Sequence, residues 1–398
     1  MRVVLGVAGG IAAYKACELL RLLTESGHQV RVVPTAAALN FVGEATWAAL
    51  SGQPVTASPW EDVHDVPHVR LGQEADLVIV APATADLLAR AAAGLSDDLL
   101  SAVLLTARCP VVFAPAMHTE MWQHPATQAN VATLRARGCL VVDQASGRLT
   151  GKDTGPGRLP EPPELFAVVQ RVLARGVAGL AADLSGRSIL VSAGGTREEL
   201  DPVRYIGNWS TGLQGYALAS AAVLRGAEVT LVAANTELPD PAGVKVVRVK
   251  SALQLREEVL AAGRDADVIV MAAAVADYRP ATRSEHKIKK TGVAPDPIAL
   301  TENPDIIRDL VAARQRRGQL IVGFGAETGD VLANGRAKLA RKGCDLLVVN
   351  QVGDGLAFGT ADNEAVVLGA DGSEVSLPRG PKEQIADGIW DLIARRLG

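Results

Sequence analysis

Residues 271–290, MAAAVADYRPATRSEHKIKK, place Asp277 ahead of Lys287, Lys289 and Lys290. One carboxylate followed by a group of ammonium side chains suits a polyphosphate that carries a divalent metal, with the carboxylate on the metal and the lysines on phosphate oxygens. A lysine run also suits a solvated face, so both readings stay open. In VGFGAETGDVLANGRAKLARKG (322–343), Phe324 offers a ring on which a base could stack. Lys338 and Lys342, four apart, share a helix face that would meet phosphates or water. SAGGTREELDPVRYIGNWSTG (192–212) carries Arg197, Asp201, Arg204 and Asn208 in a polar stretch of about twenty residues, longer than a plain connection needs.

The first half holds a second set. GVAGGIAAYK (6–15) ends an apolar run in two glycines before a helix-like segment, an arrangement that serves either as a phosphate cradle or as a tight turn. It is not GxGxxG. Thr35 in VPTAAALNF (33–41) suits a helix cap or a ligand contact. HVRLGQEADLVIVAPATADL (68–87) opens on His68, and PAMHTEMW (115–122) carries His118; histidine exchanges a proton near neutral pH. Spacing alone selects neither from the six histidines, which include His28, His64, His124 and His286. TGKDTGPGRLPEP (150–162) reads as a lid or as a linker. GxxxxGK[ST], HExxH and GxSxG are absent from the sequence.

Such residues need strands that end beside one another. VVLGV (3–7), VRVVP (30–34), DLVIVAP (76–82), PVVFAP (110–115) and CLVVD (139–143) read as strands, with helices over 15–27 and 125–138 ending at glycine. After a Gly/Pro-rich stretch (144–164) and a helix over roughly 163–175, strand-like runs resume at SILVSAGG (188–195), EVTLVAA (228–234), KVVRV (245–249), DVIVMAAA (267–274), LIVGFGA (320–326) and DLLVVN (345–350). EAVVLGADGSEVSL (364–377) reads as a hairpin turning at Asp371-Gly372, and a helix follows Pro381. Continuous apolar strands predict parallel sheets covered by helices on both faces. We therefore expect two α/β domains, 1–180 and 181–398. Ligands in such sheets lie beyond the carboxyl ends of the strands, where Gly9, Gly10, Thr35, APATAD (81–86) and PAMHTEMW all fall.

Composition narrows the class. The 398 residues are 48% hydrophobic and 21% charged, with a net charge of −4, and carry no basic stripe, which argues against a nucleic-acid binder. Cys17, Cys109, Cys139 and Cys344 form no CxxC and no zinc spacing, and they suit a reducing cytosol. The N-terminal apolar run is too short and glycine-rich for a signal peptide or a membrane span. The expectation is a cytoplasmic protein without a membrane or nucleic-acid partner.

On these motifs the chain resembles the bacterial bifunctional coenzyme A biosynthesis protein, a family that joins a phosphopantothenoylcysteine decarboxylase to a phosphopantothenate–cysteine ligase. GGIAAYK, ADLVIVAPATADL, PAMHTEMW and GPGR resemble the decarboxylase half, a flavodoxin-like FMN-binding fold. TREELDPVRYIGN, AAVADYR, KIKK, NPDI (303–306) and GFGAET resemble the Rossmann-like ligase half. The matches run in order from residue 3 to about 365. The resemblance implies that CTP and magnesium activate the 4'-phosphopantothenate carboxylate as an acyl-cytidylate with release of pyrophosphate, which the cysteine amine then attacks. Asn208 would hold the acyl-cytidylate and Lys287 would take part in the attack. CTP would be bound by Ala273, Asp277, Lys287, Pro304, Asp305, Ile306, Phe324, Lys338 and Lys342, with Asp277 on the metal and Arg204 on substrate. In the decarboxylase half FMN would oxidise the cysteinyl thiol to a thioaldehyde, CO2 would leave, and the electrons would return to give 4'-phosphopantetheine. Gly9, Gly10, Ile11, Thr35, Ala81, Thr84 and Asp98 would hold FMN, His68 would be the base, and Met117, His118, Met121, Lys152 and Asp153 would meet substrate. A homo-oligomer with trimeric decarboxylase and dimeric ligase contacts, such as a dodecamer, is implied too.

Two positions depart from the family pattern. His118 stands where the motif Pro-x-Met-Asn-x-x-Met-Trp has asparagine. Thr150-Gly151-Lys152-Asp153 stands where the family often has Ala-Cys-Gly-Asp, so the proton-donating cysteine is replaced by Gly151. They motivate an alternative, a ligase whose FMN-binding domain is impaired in decarboxylation. A nicotinamide-dependent oxidoreductase would need an acidic ribose-binding residue near 30, which the sequence lacks, and a pure binding module would not need so many polar strand-end loops.

Overall fold

The computed structural model describes residues 1–55, 67–148, 154–289, 297–314, 316–327, 329–351 and 362–398. The chain divides into two compact units, Met1–Ala181 and Ala182–Gly398.

The first unit contains β1 (Arg2–Val7), α1 (Ala13–Glu25), β2 (Gln29–Pro34), α2 (Glu44–Ser51), α3 (Pro67–Glu74), β3 (Leu77–Ala83), α4 (Ala85–Ala93), α5 (Leu99–Thr106), β4 (Val111–Pro115), α6 (Thr119–Gln123), α7 (Pro125–Ala136), β5 (Leu140–Val141), a hairpin of β6 (Ala145–Arg148) with β7 (Thr154–Arg158), and α8 (Pro162–Arg175). Its five-stranded sheet has the order β2-β1-β3-β4-β5, and every pairing is parallel. That is the flavodoxin-like order, whose topological switch point lies between β1 and β3. All seven residues of β3 are buried, as a central strand covered on both faces requires. Strand β5 is shorter than the run 139–143 suggests.

The second unit contains β8 (Ser188–Gly194), β9 (Arg197–Glu199), β10 (Tyr205–Gly207), α9 (Leu213–Leu224), β11 (Glu228–Ala234), β12 (Val244–Val249), α10 (Ala252–Ala262), β13 (Val268–Met271), β14 (Tyr278–Pro280), β15 (Leu300–Glu302), α11 (Ile306–Ala312), β16 (Leu320–Glu327), α12 (Val331–Lys342), β17 (Leu346–Gln351), β18 (Asp362–Gly369), β19 (Glu374–Pro381) and α13 (Lys382–Leu397). Its eight-stranded sheet runs β12-β11-β8-β13-β16-β17-β18-β19. The strands from β12 to β17 are parallel, and β18 and β19 extend the sheet antiparallel through the expected hairpin. At its turn Gly372 has φ +85°, and Asp371 accepts from Ser373 N at 2.9 Å.

Alternate strand residues feed two cores. Ile189, Val191 and Ala193 of β8 pack with α9 and α13, whereas Leu190 packs with α10, α11 and α12. Trp390 of α13 is fully buried, and its Nε1 donates to the carbonyl of Leu218 in α9 at 2.9 Å. At the other end of α9, Arg225 is 1% exposed and pairs with Asp183 and with Asp391 of α13. A buried indole contributes about 3–5 kcal/mol, so α9 and α13 act as one rigid layer.

Candidate active sites

In the first unit the strand-end loops are pinned to neighbouring strands. Ala8 N donates to Pro82 O at 3.1 Å, Thr35 N to Val7 O at 2.9 Å, and Ala116 N to Ala83 O at 3.1 Å. These bonds gather Gly9, Gly10, Thr35, Thr84 and the 115–118 turn along the carboxyl edge of β2, β1, β3 and β4. Thr35 is 6% exposed, and its Oγ1 accepts from Ala38 N at 3.2 Å. Thr84 caps α4 through Leu87 N at 3.3 Å. Ala81 is fully buried within β3, so it presents only backbone and a methyl. Asp98 caps α5, accepting from Ser101 N at 2.7 Å, and pairs with Arg90 at 2.8 Å, which commits its carboxylate within the chain.

A cofactor phosphate has a place here. Among the described residues, the amides of Gly9, Gly10, Ile11 and Ala12 donate to no backbone carbonyl, and α1 begins just beyond them. Orphan donors at a helix start suit an anion. A methyl on Gly9 would lie 2.8 Å from Ala37 C, whereas one on Gly10 would meet only Thr84 Cγ2, at 3.8 Å. Gly9 therefore closes the turn against the next loop, and Gly10 leaves space open. Ile11 is exposed.

His68 lies in the first turn of α3, the helix that leads into β3. Its Nδ1 is buried and has no hydrogen-bond partner, while its carbonyl accepts from Thr106 Oγ1 at 2.7 Å. His118 stands at the start of α6 in an extended conformation; its carbonyl accepts from Trp122 N at 3.0 Å, and its side chain is exposed and makes no cap. Met117 is half-buried and packs on the core beside Trp122, and Met121 is 48% exposed. Met117 N donates to Gly157 O at 3.0 Å, so the GPGR strand β7 is tied to the 115–118 turn. Thr150, Gly151, Lys152 and Asp153 lie outside the described residues.

Sequence reading missed a charged cluster beside this edge. Glu161 accepts from Lys15 Nζ at 2.7 Å and from Arg158 at 2.9 Å. Burial pushes the neighbouring Glu164 carboxyl up to about 7, reinforced by the Glu161 charge and opposed by Lys15 and Arg158. Residues 146 positions apart give no local signal of such a meeting.

In the second unit the carboxyl ends of β13, β16 and β17, together with the segment that leads into α9, line a cavity of about 1130 Å³. Asn208, Ala273, Asp277, Pro304, Asp305, Ile306, Phe324, Lys338 and Lys342 all line it. Asn208 Nδ2 donates to Val275 O at 3.0 Å, and Asn303 Nδ2 donates to Ala276 O at 2.8 Å, which locks the three loops together. Gly195 allows this approach: a methyl there would lie 2.9 Å from Asn208 O. On α12, Lys338 pairs with Glu327 at 2.6 Å and Lys342 with Asp305 at 2.7 Å. Asp305 also caps α11 through Arg308 N at 3.3 Å. Trp209, Thr211, Asn303 and Arg341, which lie within the quoted stretches, line the cavity too, and so do Asn363 and Lys382, which lie outside them.

Lys287 and Arg204 do not line this cavity, but the structure brings them near each other. Asp201 is buried; it accepts from Arg204 NH2 at 2.6 Å and from Ile288 N at 3.1 Å, and Arg204 also donates to Ile288 O at 2.7 Å. The guanidinium holds the Asp201 carboxyl well below the usual carboxylate range, against burial and with help from the Val203, Ile288 and Arg204 amides. Lys287 is exposed on the segment fixed by this knot. Lys290 lies outside the described residues.

No helix among the described residues is long and apolar enough to cross a membrane, and Cys17, Cys109, Cys139 and Cys344 are free thiols. Residues 1–174 match the Flavoprotein family, and residues 184–397 match the DNA/pantothenate metabolism flavoprotein C-terminal domain. The chain is 60% identical to the coenzyme A biosynthesis bifunctional protein CoaBC of Mycolicibacterium smegmatis, over 99% of this chain and 97% of that one. It is 59% identical to the protein of the same name from Mycobacterium tuberculosis, over 98% and 96%. With that from Vibrio cholerae it shares 42% identity, over 100% and 98%. The chain therefore belongs to the family of the coenzyme A biosynthesis bifunctional protein, its flavoprotein half first and its pantothenate-metabolism half second.

Proposed function

We propose that the second unit joins 4'-phosphopantothenate to cysteine with CTP, and that the first unit, with FMN, decarboxylates the 4'-phosphopantothenoylcysteine so formed. The observation that carries the ligase reading is the convergence of Asn208, Asp277, Phe324, Lys338 and Lys342 on one cavity at the carboxyl edge of the sheet. A carboxylate is a poor acyl donor, so it needs a nucleotide leaving group before an amine can attack. Phe324 offers a face for the base, and Lys338 and Lys342 lie where charge on the phosphates must be offset. No group of three or more His, Cys, Asp and Glu among the described residues could by itself hold a metal. Magnesium, which keeps water and phosphate ligands and takes one or two carboxylates, fits Asp277 in that role. The Asp201–Arg204 knot positions the segment that carries Lys287, which would take part in the amine attack.

In the first unit the orphan amides of residues 9–12 would hold the FMN phosphate, with Thr35 and Thr84 beside them. Bound FMN supplies an electron-pair acceptor that returns the pair, so no net oxidation occurs. His68 Nδ1, buried and without a partner, would take the thiol proton. His118 would donate to the substrate carboxylate. His118→Asn should then keep decarboxylation and His118→Ala should lose most of it; unchanged turnover in the alanine variant removes that role. Exposed Ile11 and Tyr14 on one unit and Val203, Tyr205 and Trp209 on the other support self-association into a homo-oligomer.

The decisive experiment gives the purified chain 4'-phosphopantothenate, cysteine and either CTP or ATP, and follows pyrophosphate release. Turnover confined to CTP is expected, and equal turnover with ATP sinks the cytidine assignment. The same protein given 4'-phosphopantothenoylcysteine should release CO2. Absence of CO2 with flavin bound would leave a ligase alone, the reading that His118 and Gly151 favour.

A further inference from the structure

In the first unit one carboxylate bridges two cations that come from different elements. Glu161, the residue before α8, accepts on Oε1 from Lys15 Nζ at 2.7 Å and from Arg158 NH2 at 2.9 Å. Lys15 stands in the first turn of α1, just past the orphan amides of residues 9–12. Its Nζ also donates to Leu159 O at 3.4 Å, and its side chain is only 12% exposed. The ammonium is therefore committed to the seam between α1 and α8.

The other cation belongs to the flap side. Arg158 is the last residue of β7. Gly157, next to it, accepts from Met117 N at 3.0 Å. A methyl on Gly155 would lie 2.6 Å from Thr119 Oγ1, so β7 also runs close to the start of α6. Strand β7 thus meets the chain on both sides of His118. A continuous path leads from the anion cradle through the first turn of α1 to Lys15, across Glu161 to Arg158, and along β7 to the turn that carries His118. The side chains of Arg158 and Glu161 are 37% and 43% exposed. Partly solvated pairs of this kind add little to stability. What the bridge does fix is the placement of one loop relative to the other.

Taking the decarboxylase reading as given, we propose that Glu161 is a positioning residue for that reaction, holding β7 and the His118 turn at a set distance from the flavin-phosphate cradle. It acts through Lys15 and Arg158 and not on a reacting atom. Displacing reacting groups by about 1 Å costs about 100-fold in rate. Half that displacement, a modest slip for a strand that has lost one anchor, corresponds to about tenfold.

The test uses the full chain loaded with FMN, at about pH 6. There the neighbouring Glu164, which titrates near 7, is mostly protonated and does not stand in for the lost carboxylate. Glu161→Ala should lower kcat for CO2 release about tenfold, with FMN affinity within about threefold and an unchanged denaturant midpoint. Glu161→Gln keeps an acceptor at the same reach and should retain at least about a third of kcat. Arg158→Met cuts the bridge from the β7 side; it should match the alanine variant, the double variant should be no slower than either, and it decides the matter if Glu161→Ala does not fold. A second readout needs no turnover: the Met117 amide should exchange with solvent about tenfold faster in Glu161→Ala, while the amides of β3 keep their wild-type rates. Unchanged kcat and Met117 exchange overturn the proposal. So does a glutamine variant as slow as alanine, or a loss of kcat matched by equal losses of flavin and of β3 protection, which marks a purely structural role. Wild-type protein that releases no CO2 with flavin bound overturns the decarboxylase reading itself, and the exchange rates still show whether Glu161 holds β7 to the turn.

Discussion

Lys338, on the wall of the second unit's cavity, pairs with Glu327 at 2.6 Å, with side chains 25% and 15% exposed. Their charges can be removed separately. The wild-type pair sums to zero, Lys338→Met leaves −1, Glu327→Gln leaves +1, and the double variant returns to zero. If the pair faces a polyphosphate, nucleotide affinity should follow this charge and not the number of intact contacts. At an effective dielectric of about 20 and a separation of about 6 Å, one unit charge against another is worth roughly 3 kcal/mol. Solvent screening in a cavity open to water brings this to about 1–2 kcal/mol, or about 5–30-fold in affinity. KM for CTP should therefore be highest in Lys338→Met, intermediate in the double variant, and equal to or below wild type in Glu327→Gln. Initial rates over a CTP series at two salt concentrations would measure this, with the spread between variants shrinking at high salt. If Lys338→Met and the double variant share one KM, the pair acts by holding β16 to α12, and the argument from cavity charge is refuted.

Three other perturbations follow from the geometry. Gly9→Ala places a methyl 2.8 Å from Ala37 C and should destabilise the first unit by about 1–3 kcal/mol, whereas Gly10→Ala meets only Thr84 Cγ2 at 3.8 Å. Denaturant midpoints and FMN titration should separate them, with Gly10→Ala losing flavin affinity at unchanged stability; the reverse pattern removes Gly10 from the phosphate cradle. Gly195→Ala puts a methyl 2.9 Å from the Asn208 carbonyl, so the Asn208 loop must shift by about half an ångström and ligase kcat should fall about tenfold; wild-type kcat would show that Asn208 needs no such placement. Glu164 titrates near 7 in the folded chain against an ordinary 4.5. A raised carboxyl pKa destabilises the fold as the group ionises, so the penalty is absent below about 4.5, grows through 7, and reaches about 3 kcal/mol at most above it. Glu164→Gln should therefore stabilise the chain in urea at pH 8 and leave it unchanged at pH 4.5, and an equal effect at both values would place the cause elsewhere.

These positions differ in how far the sequence reveals them, and the difference is physical. Buried parallel strands leave continuous apolar runs, so β1, β2, β13 and β16 are legible, and so are the loops past the first three, which supply Gly9, Thr35 and Asp277, and the last turn of β16 that carries Phe324. Strands of three residues carry no period, which is why β9 and β10 are hidden within the polar stretch 192–212. The antiparallel strands β18 and β19 are visible as a hairpin, but which sheet they extend depends on an edge that only the folded β17 supplies. Charge meetings are the least legible. Lys15, Arg158 and Glu161 come together because α1 packs against α8, and Asp201 reaches Ile288 across 87 residues.

Lys382 is the sharpest instance. In sequence it is a lysine after a proline at a helix start, a position that ordinarily faces water. Folding buries it because α9 arrives from 168 residues earlier with Gln214 against its carbonyl, and because the Trp390 contact keeps α13 from sliding away. Burial of that charge is unfavourable, and the fold tolerates it at the wall of the cavity that a nucleotide would enter. The same reasoning separates Lys382 from Lys287. Lys287 is exposed and keeps its hydration, so its part in the amine attack would rest on the Asp201–Arg204 knot that fixes its segment. A variant that loosens the knot, such as Asp201→Asn, should therefore lower kcat for ligation and leave pyrophosphate inhibition intact. If Asp201→Asn left kcat for ligation unchanged, the knot would not position Lys287 for the attack.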